Sequence, residues 1–260
     1  MDITLFNGGH HMANYCITFS PTGGVNRVAD ILAGALHSQW IQIDLMNETK
    51  LETTENDVCL VAVPSFGGRV ADFAVQRLKG ITGPAKAVAV CVYGNRAYED
   101  TLAELQDVLT EQGMRVVAAV AAVAEHSIMH SVAAGRPDET DARQLADFAR
   151  YIASRLRRKS ETVLQVPGNR PYKDYRVASM VPVTYTEACI GCGNCAERCP
   201  VGAINMVDLE LTDTAKCMCC MACTAVCPTG ARKPDAYQVD KLLERLGPMF
   251  AKRKDNELFV

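Results

Sequence analysis

The chain has 260 residues, 48% of them hydrophobic and 22% charged, with a formal net charge of −3. That balance is ordinary for a soluble globular protein, and the slight acidic excess excludes a nucleic-acid binder, which needs a basic face to neutralise phosphates. The longest apolar run, Val116 to Ala124, falls well short of a membrane span, so none is expected.

Residues 1–13 read as an N-terminal extension. Their sequence, MDITLFNGGHHMAN with the following residue, lacks a basic start and a long apolar core and does not read as a secretory signal. The expected location is therefore the cytoplasm, where thiols stay reduced and clustered cysteines bind metal.

Residues 14–160 alternate between short β-rich runs and helical stripes. Strands are expected at Tyr15–Phe19, Val58–Val63, Ala87–Tyr93 and Val116–Val120, with a weaker one at Ile41–Leu45. Between and after them, Val28, Ile31, Leu32 and Leu36 form one apolar stripe, Leu102, Leu105 and Leu109 a second, and Leu145, Phe148, Ile152 and Leu156 a third. Continuously apolar strands suit a parallel sheet covered on both faces, so the expected class is α/β, doubly wound, with a ligand at the carboxyl ends of its strands. Cys16, Cys59 and Cys91 fall inside these strands and read as small buried hydrophobes. His126 and His130 read as ordinary loop histidines after the fifth strand, because no matching cysteine or carboxylate completes a metal site.

Three strand ends carry unusual loops. FSPTGGVN, Phe19 to Asn26, sets two hydroxyls and two glycines before a helix, where backbone N–H groups and the helix dipole suit a phosphate. It lacks the lysine of a Walker loop. VPSFGGR (Val63 to Arg69) and VYGNRAYED (Val92 to Asp100) each pair an aromatic residue with glycine, which lets a flat ligand approach closely.

Together the three loops resemble those of the flavodoxin family, over about residues 14 to 160. The resemblance implies FMN as cofactor and a parallel sheet of strand order 2-1-3-4-5. Carried over by position, Ser20, Thr22, Gly23, Gly24 and Val25 form the phosphate loop. Val25 stands where the family usually has a second threonine, which removes one hydroxyl donor. Pro64, Ser65, Phe66, Gly67 and Gly68 would line one side of the isoalloxazine, and Tyr93, Gly94, Asn95, Arg96 and Tyr98 the other. The resemblance further suggests that Arg96 favours an anionic reduced flavin and that Asn95 supplies hydrogen bonds.

Residues 161–183 are rich in proline and poor in periodicity, and read as a linker. Nine of the twelve cysteines then fall between Cys189 and Cys227. Cys189, Cys192, Cys195 and Cys199 follow C-x2-C-x2-C-x3-C-P, and Cys217, Cys220, Cys223 and Cys227 repeat it, leaving Cys219 out of register. Three thiolates at this spacing wrap one cluster from a single turn, while the fourth, before proline, serves elsewhere. The expected ligand sets are therefore Cys189, Cys192, Cys195 and Cys227 for one 4Fe–4S cubane, and Cys217, Cys220, Cys223 and Cys199 for the other. Structural zinc favours separated C-x2-C pairs, which this is not. VGAI after the first copy and TGAR after the second extend the repeat.

Residues 184–236 thereby resemble the bacterial ferredoxin family with two 4Fe–4S centres, a small α+β domain. Residues 237–260 read as a C-terminal helix and tail, whose stripe Leu242, Leu243, Leu246 and Phe250 packs on its own protein or docks a partner. The whole chain resembles fused flavodoxin–ferredoxin electron carriers. That resemblance implies electron transfer between two 4Fe–4S clusters, FMN and redox partner proteins, with a homodimer open to it. The alternatives are a flavin-dependent reductase of a small molecule or cobalamin protein, fed by its own clusters, and an FMN-free scaffold carrying a ferredoxin. No G-x-G-x-x-G follows a strand, so a built-in nicotinamide site is not expected.

Overall fold

A computed structural model describes residues 12–158, 163–175 and 180–260. Most of the N-terminal extension, residues 1–11, and parts of the linker, residues 161–162 and 176–179, lie outside the described residues.

The α/β module is built on five parallel strands: β1 (Asn14–Thr18), β2 (Ile41–Asp44), β3 (Val58–Phe66), β4 (Lys86–Tyr93) and β5 (Arg115–Val123). Their order is 2-1-3-4-5, as in a flavodoxin-like sheet. The central strands are apolar without alternation because helices cover both faces. Under α1 (Gly24–Ala35) and α4 (Glu139–Arg157) lie Val28, Leu32, Leu60, Val120, Leu145 and Ile152. Under α2 (Asp72–Leu78) and α3 (Thr101–Glu111) lie Ile17, Phe19, Val61, Leu78, Leu102 and Leu105. Cys16, Cys59 and Cys91 are fully buried; burial pushes the first two thiols up to about 12 and the third higher still, so they are inert packing groups.

The connector is laid along α3. Asp100 accepts hydrogen bonds from the backbone N–H groups of Asn169 (2.8 Å) and Lys173 (2.7 Å), and Arg170 pairs with Asp107 at 2.6 Å. Arg69, beside it, is no solvated charge. It forks onto the buried Glu104 at 2.8 and 2.7 Å and stacks on the Tyr172 ring.

The cysteine module is small: a two-stranded ribbon, β6 (Val183–Thr184) against β7 (Arg232–Lys233), and two four-residue helices, α5 (Asn194–Glu197) and α6 (Ala222–Ala225). Cys220 and Ala222 belong to the same buried cluster as the α2/α3 face of the sheet, so its second half is seated on the α/β module.

Beyond it, α7 (Ala236–Phe250) begins at Asp235, whose carboxylate accepts the Gln238 N–H at 3.0 Å. The chain then returns as β8 (Glu257–Phe259), antiparallel on the outer edge of β5, with Glu257 opposite Ala121. The region read as a helix and tail thus ends in a strand of the first module's sheet. Asn256 locks this return: its side chain accepts the Val123 N–H at 2.8 Å and donates to Gln144 (2.9 Å) and Asp141 (3.1 Å). Among the described residues no helix is long and apolar enough to cross a membrane.

Candidate functional site

A cavity of about 370 Å³ opens at the carboxyl ends of β1, β3, β4 and β5. Ser20, Thr22, Gly24 and Val25 form its first wall. Gly23 adopts φ +87°, a left-handed turn that aims the chain into α1; this N-cap has no side chain, and the first turn has no acid. The buried Ser20 Oγ accepts the Asn26 N–H at 3.0 Å, leaving its own proton to donate. This acid-free helix start, where Gly23 brings no side chain to cap the Gly24 and Val25 N–H groups, fits a phosphate group.

Pro64 to Gly68 form the second wall. Phe66 meets Phe19 edge-on, with ring centroids 6.4 Å apart, and the Ser65 and Thr101 hydroxyls bond at 2.8 Å. Gly68 has φ +88°, and a Cβ there would stand 1.9 Å from the Glu99 carboxylate. Glu99 in turn holds Arg96 at 2.8 Å and also binds Lys173.

Tyr93, Gly94 and Arg96 form the third wall. Arg96 lies on the cavity as expected, but its pairing with Glu99 offsets its charge there. Asn95 and Tyr98, carried over with this loop, do not line the cavity. Asn95 is buried, donates to the Phe250 and Lys252 carbonyls at 2.9 and 3.0 Å, and accepts from the Lys254 N–H at 3.0 Å. Tyr98 packs edge-on against Tyr93 and donates to Glu257 at 3.1 Å. Both side chains serve the returning C-terminal segment, which removes Asn95 as a side-chain donor to a bound ligand. Gly23, too, shapes the first loop without lining the cavity.

The loop after β5 supplies a fourth wall, including His126 and Met129. Gly94 is needed here because a Cβ would stand 2.5 Å from the His126 ring. His126 Nδ1 accepts the N–H groups of Ile128 and Met129 at 3.1 and 3.2 Å, which puts the ring proton on Nε2. Burial, with the nearby charges of His130 and Arg96, pushes its pKa down to about 4, so it is neutral at pH 7. His130 instead pairs with Glu125 at 2.8 Å at the surface, and the two histidines do not converge.

The α7 residues Leu242, Leu246 and Phe250 close the cavity from above, with Phe250 edge-on to His126 at 5.9 Å. The stripe therefore packs on its own protein. The last pieces of the lining are Cys219 and Cys220.

Two smaller cavities lie inside the cysteine module. One is lined by Cys189, Cys192, Cys195 and Cys227, the other by Cys199, Cys217, Cys220 and Cys223. Each fourth cysteine of the repeat crosses to the other copy's cavity. Backbone N–H groups point at two of these sulfurs, Ala203 to Cys199 at 3.2 Å and Arg232 to Cys227 at 3.4 Å. Among the described residues no three or more His, Cys, Asp or Glu side chains are gathered as a single metal ion requires. Cys220 lines both the second thiol cavity and the large one.

Cys219, beside Cys220, lines the large cavity as well. It is buried and takes φ +54° at the repeat position where the first copy has Gly191 at φ +68°. Met221, at φ +64°, likewise replaces Gly193. A hydrogen bond to Cys217 pushes the Cys219 thiol up and Cys217 down, so Cys219 keeps its proton and donates it toward Cys217. The CMCC doublet showed an extra thiol in the sequence, but nothing there placed it on the large cavity.

Residues 182–205 match the 4Fe-4S binding domain family. No curated protein matches the chain. Among solved structures, the α/β part is similar to a short-chain flavodoxin associated with a bacterial microcompartment (13% identity, 56% of this chain and 99% of that one, TM-score 0.39). It is also similar to a flavodoxin from the domain Archaea (11%, 56% and 100%, TM-score 0.37). A third similar structure is an NADH:FMN oxidoreductase in its apo form (16%, 59% and 94%, TM-score 0.40). The strand order and the 4Fe-4S match carry the assignment: the chain joins a flavodoxin-like α/β module to an iron–sulfur module.

Proposed function

We propose that this chain is a cytoplasmic electron carrier that moves electrons between two 4Fe–4S clusters and an FMN, on behalf of redox partner proteins. The observation that carries the reading is the position of Cys220, a wall of the second thiol cavity and of the large cavity at once. Bound in these sites, the clusters would exchange single electrons and the flavin one or two.

The chain's own groups divide the remaining work. The start of α1 and the Ser20 hydroxyl hold the phosphate end of FMN. Phe66 and Tyr93 frame the ring system, and the neutral His126 adds no charge beside it. Cys199, Cys217, Cys220 and Cys223 hold the cluster nearer the flavin, while Cys189, Cys192, Cys195 and Cys227 hold the outer one. Cys192 is exposed and Ile190 beside it is 66% exposed, so the outer cluster offers a docking point for a partner protein. The α7 roof supports the carrier over a small-molecule reductase, because a substrate stacking on the flavin needs an open ring face.

Anaerobic purification with iron, sulfide and FMN quantitation tests this. About eight irons and one FMN per chain are expected. Zinc in place of iron, or a protein that refuses added FMN, overturns it.

A further inference from the structure

Among the described residues Arg232 is the largest fully buried side chain, with 2% of its surface exposed. It lies in the wall between the two thiol cavities and lines both. Its Nη1 donates to the Thr184 hydroxyl at 2.7 Å and the Leu209 carbonyl at 3.4 Å, and its Nη2 to the Thr212 hydroxyl at 2.5 Å. These acceptors are all uncharged, and Nε has no partner at all. Among the described residues no carboxylate forms an ion pair with it. A buried guanidinium without a counter-charge is strongly disfavoured, so something anionic belongs beside it.

The internal repeat shows that packing does not demand the charge. Arg232 ends TGAR at the position where the first copy ends VGAI, and its counterpart Ile204 is an apolar residue, 5% exposed. The architecture therefore accepts an aliphatic side chain at this place. The surroundings identify the missing counter-charge. Arg232 shares the wall of one cavity with Cys217 and Cys223 and of the other with Cys195 and Cys227, and its backbone N–H reaches Cys227 Sγ at 3.4 Å. Those four sulfurs come from both quartets.

We infer that Arg232 is a shared counter-ion buried between the two clusters, raising the reduction potential of both. The inference rests on the two-cluster reading above. Each cubane held by four thiolates is anionic, and each takes one electron from a one-electron donor with no proton required. A fixed positive charge therefore stabilises the reduced form more than the oxidised one. Arg232 lines both thiol cavities, so both clusters feel its charge.

The test is an EPR-monitored potentiometric titration of the full chain, purified anaerobically, as wild type and as Arg232→Ile, Arg232→Gln and Arg232→Lys. Arg232→Ile borrows the repeat's own solution, and Arg232→Gln keeps a hydrogen-bond donor without charge. With eight irons retained, both neutral variants are expected to lower both midpoint potentials, while Arg232→Lys stays near wild type. If the neutral variants lose iron, Arg232→Lys must keep it. Unchanged potentials in the eight-iron neutral variants overturn the inference. So does a shift in Arg232→Lys as large as in Arg232→Ile, or loss of iron in all three. A wild type with fewer than eight irons fails the two-cluster reading instead, and the iron assay separates that failure from this one.

Discussion

The two halves of the cysteine module share one ligand spacing and stand in different surroundings. In the first half, Gly191 and Gly193 take the left-handed turns, Cys192 is exposed, and Ile204 fills the space after the last cysteine. In the second, Cys219 and Met221 take those turns despite their side chains, Cys220 is buried, and Arg232 replaces the isoleucine. Cys219 and Cys220 face the large cavity, and Arg232 lies between the two thiol cavities. The repeat provides the means of holding a cluster; its exceptions mark where one half acquires neighbours the other lacks. A non-glycine residue in the left-handed region costs roughly 1–3 kcal/mol, which the chain tolerates where a side chain is needed at the junction.

The comparison can be broken most severely by removing the iron. Elements two to four residues long bury little on their own, so ligation is expected to supply most of the module's stability. Chelation under reducing conditions should erase amide protection across residues 182–233 and leave the five parallel strands protected in hydrogen exchange. Uniform protection afterwards contradicts the contrast.

A sharper cut sets Cys220→Ser against Cys192→Ser. Each should cost about half of the eight irons, since each removes one ligand of one quartet. Only Cys220→Ser should also slow flavin reduction by the remaining cluster, as followed by flavin absorbance in stopped flow. Equal slowing in both variants would show that the two halves are equivalent with respect to the flavin.

The C-terminal return holds α7 over the cavity, and Asn256→Ala loosens it. The change strands the Val123 N–H and removes a donor from Asp141, so a loss of about 1–3 kcal/mol is expected in denaturant unfolding, with weaker FMN retention. Asp141 itself is raised by burial but held lower overall by Arg136, the Asp138 N–H and Asn256. Stability from this group is present above the ordinary carboxylate range and lost as pH falls through it.

His126 supplies a gentler probe of the same wall. Folded, it binds a proton only near pH 4; unfolded, near 6.5. Between those values the unfolded state holds more protons, so stability should rise with pH across about 4 to 6.5 and level off above. His126→Asn, which can still accept the Ile128 N–H, should flatten that rise. Met221→Gly sets relief of the turn, about 1–3 kcal/mol, against loss of a side chain only 1% exposed, about 2–5 kcal/mol, so a net loss of stability with an unaltered iron count is expected. A loss of iron there would mean the methionine side chain, rather than the turn, supports Cys220.

Much of the site was legible before the structure because it is local. The apolar strands and helical stripes indicate a doubly wound sheet, and three loops name its ligand-bearing edge. The side-chain partners of Asn95 and Tyr98 were not legible because they lie more than 150 residues onward in the C-terminal segment, outside the stretch the resemblance covers. The strand Glu257–Phe259 carries too few residues to show a period, and it forms because β5 leaves an edge open to pair. Arg232 was visible only as the odd letter of TGAR.

What the amino-acid sequence determined by itself was the chemistry that short-range spacing can encode. Cysteines three residues apart must share a turn, and glycines after a strand must turn the backbone toward a ligand. What the tertiary structure alone decided was which thiol cavity adjoins the large one, and which half of the repeat looks toward the sheet. Those outcomes depend on contacts such as Asn95 with Phe250 and Val123 with Asn256, which form only after distant segments have packed, because no local propensity records them.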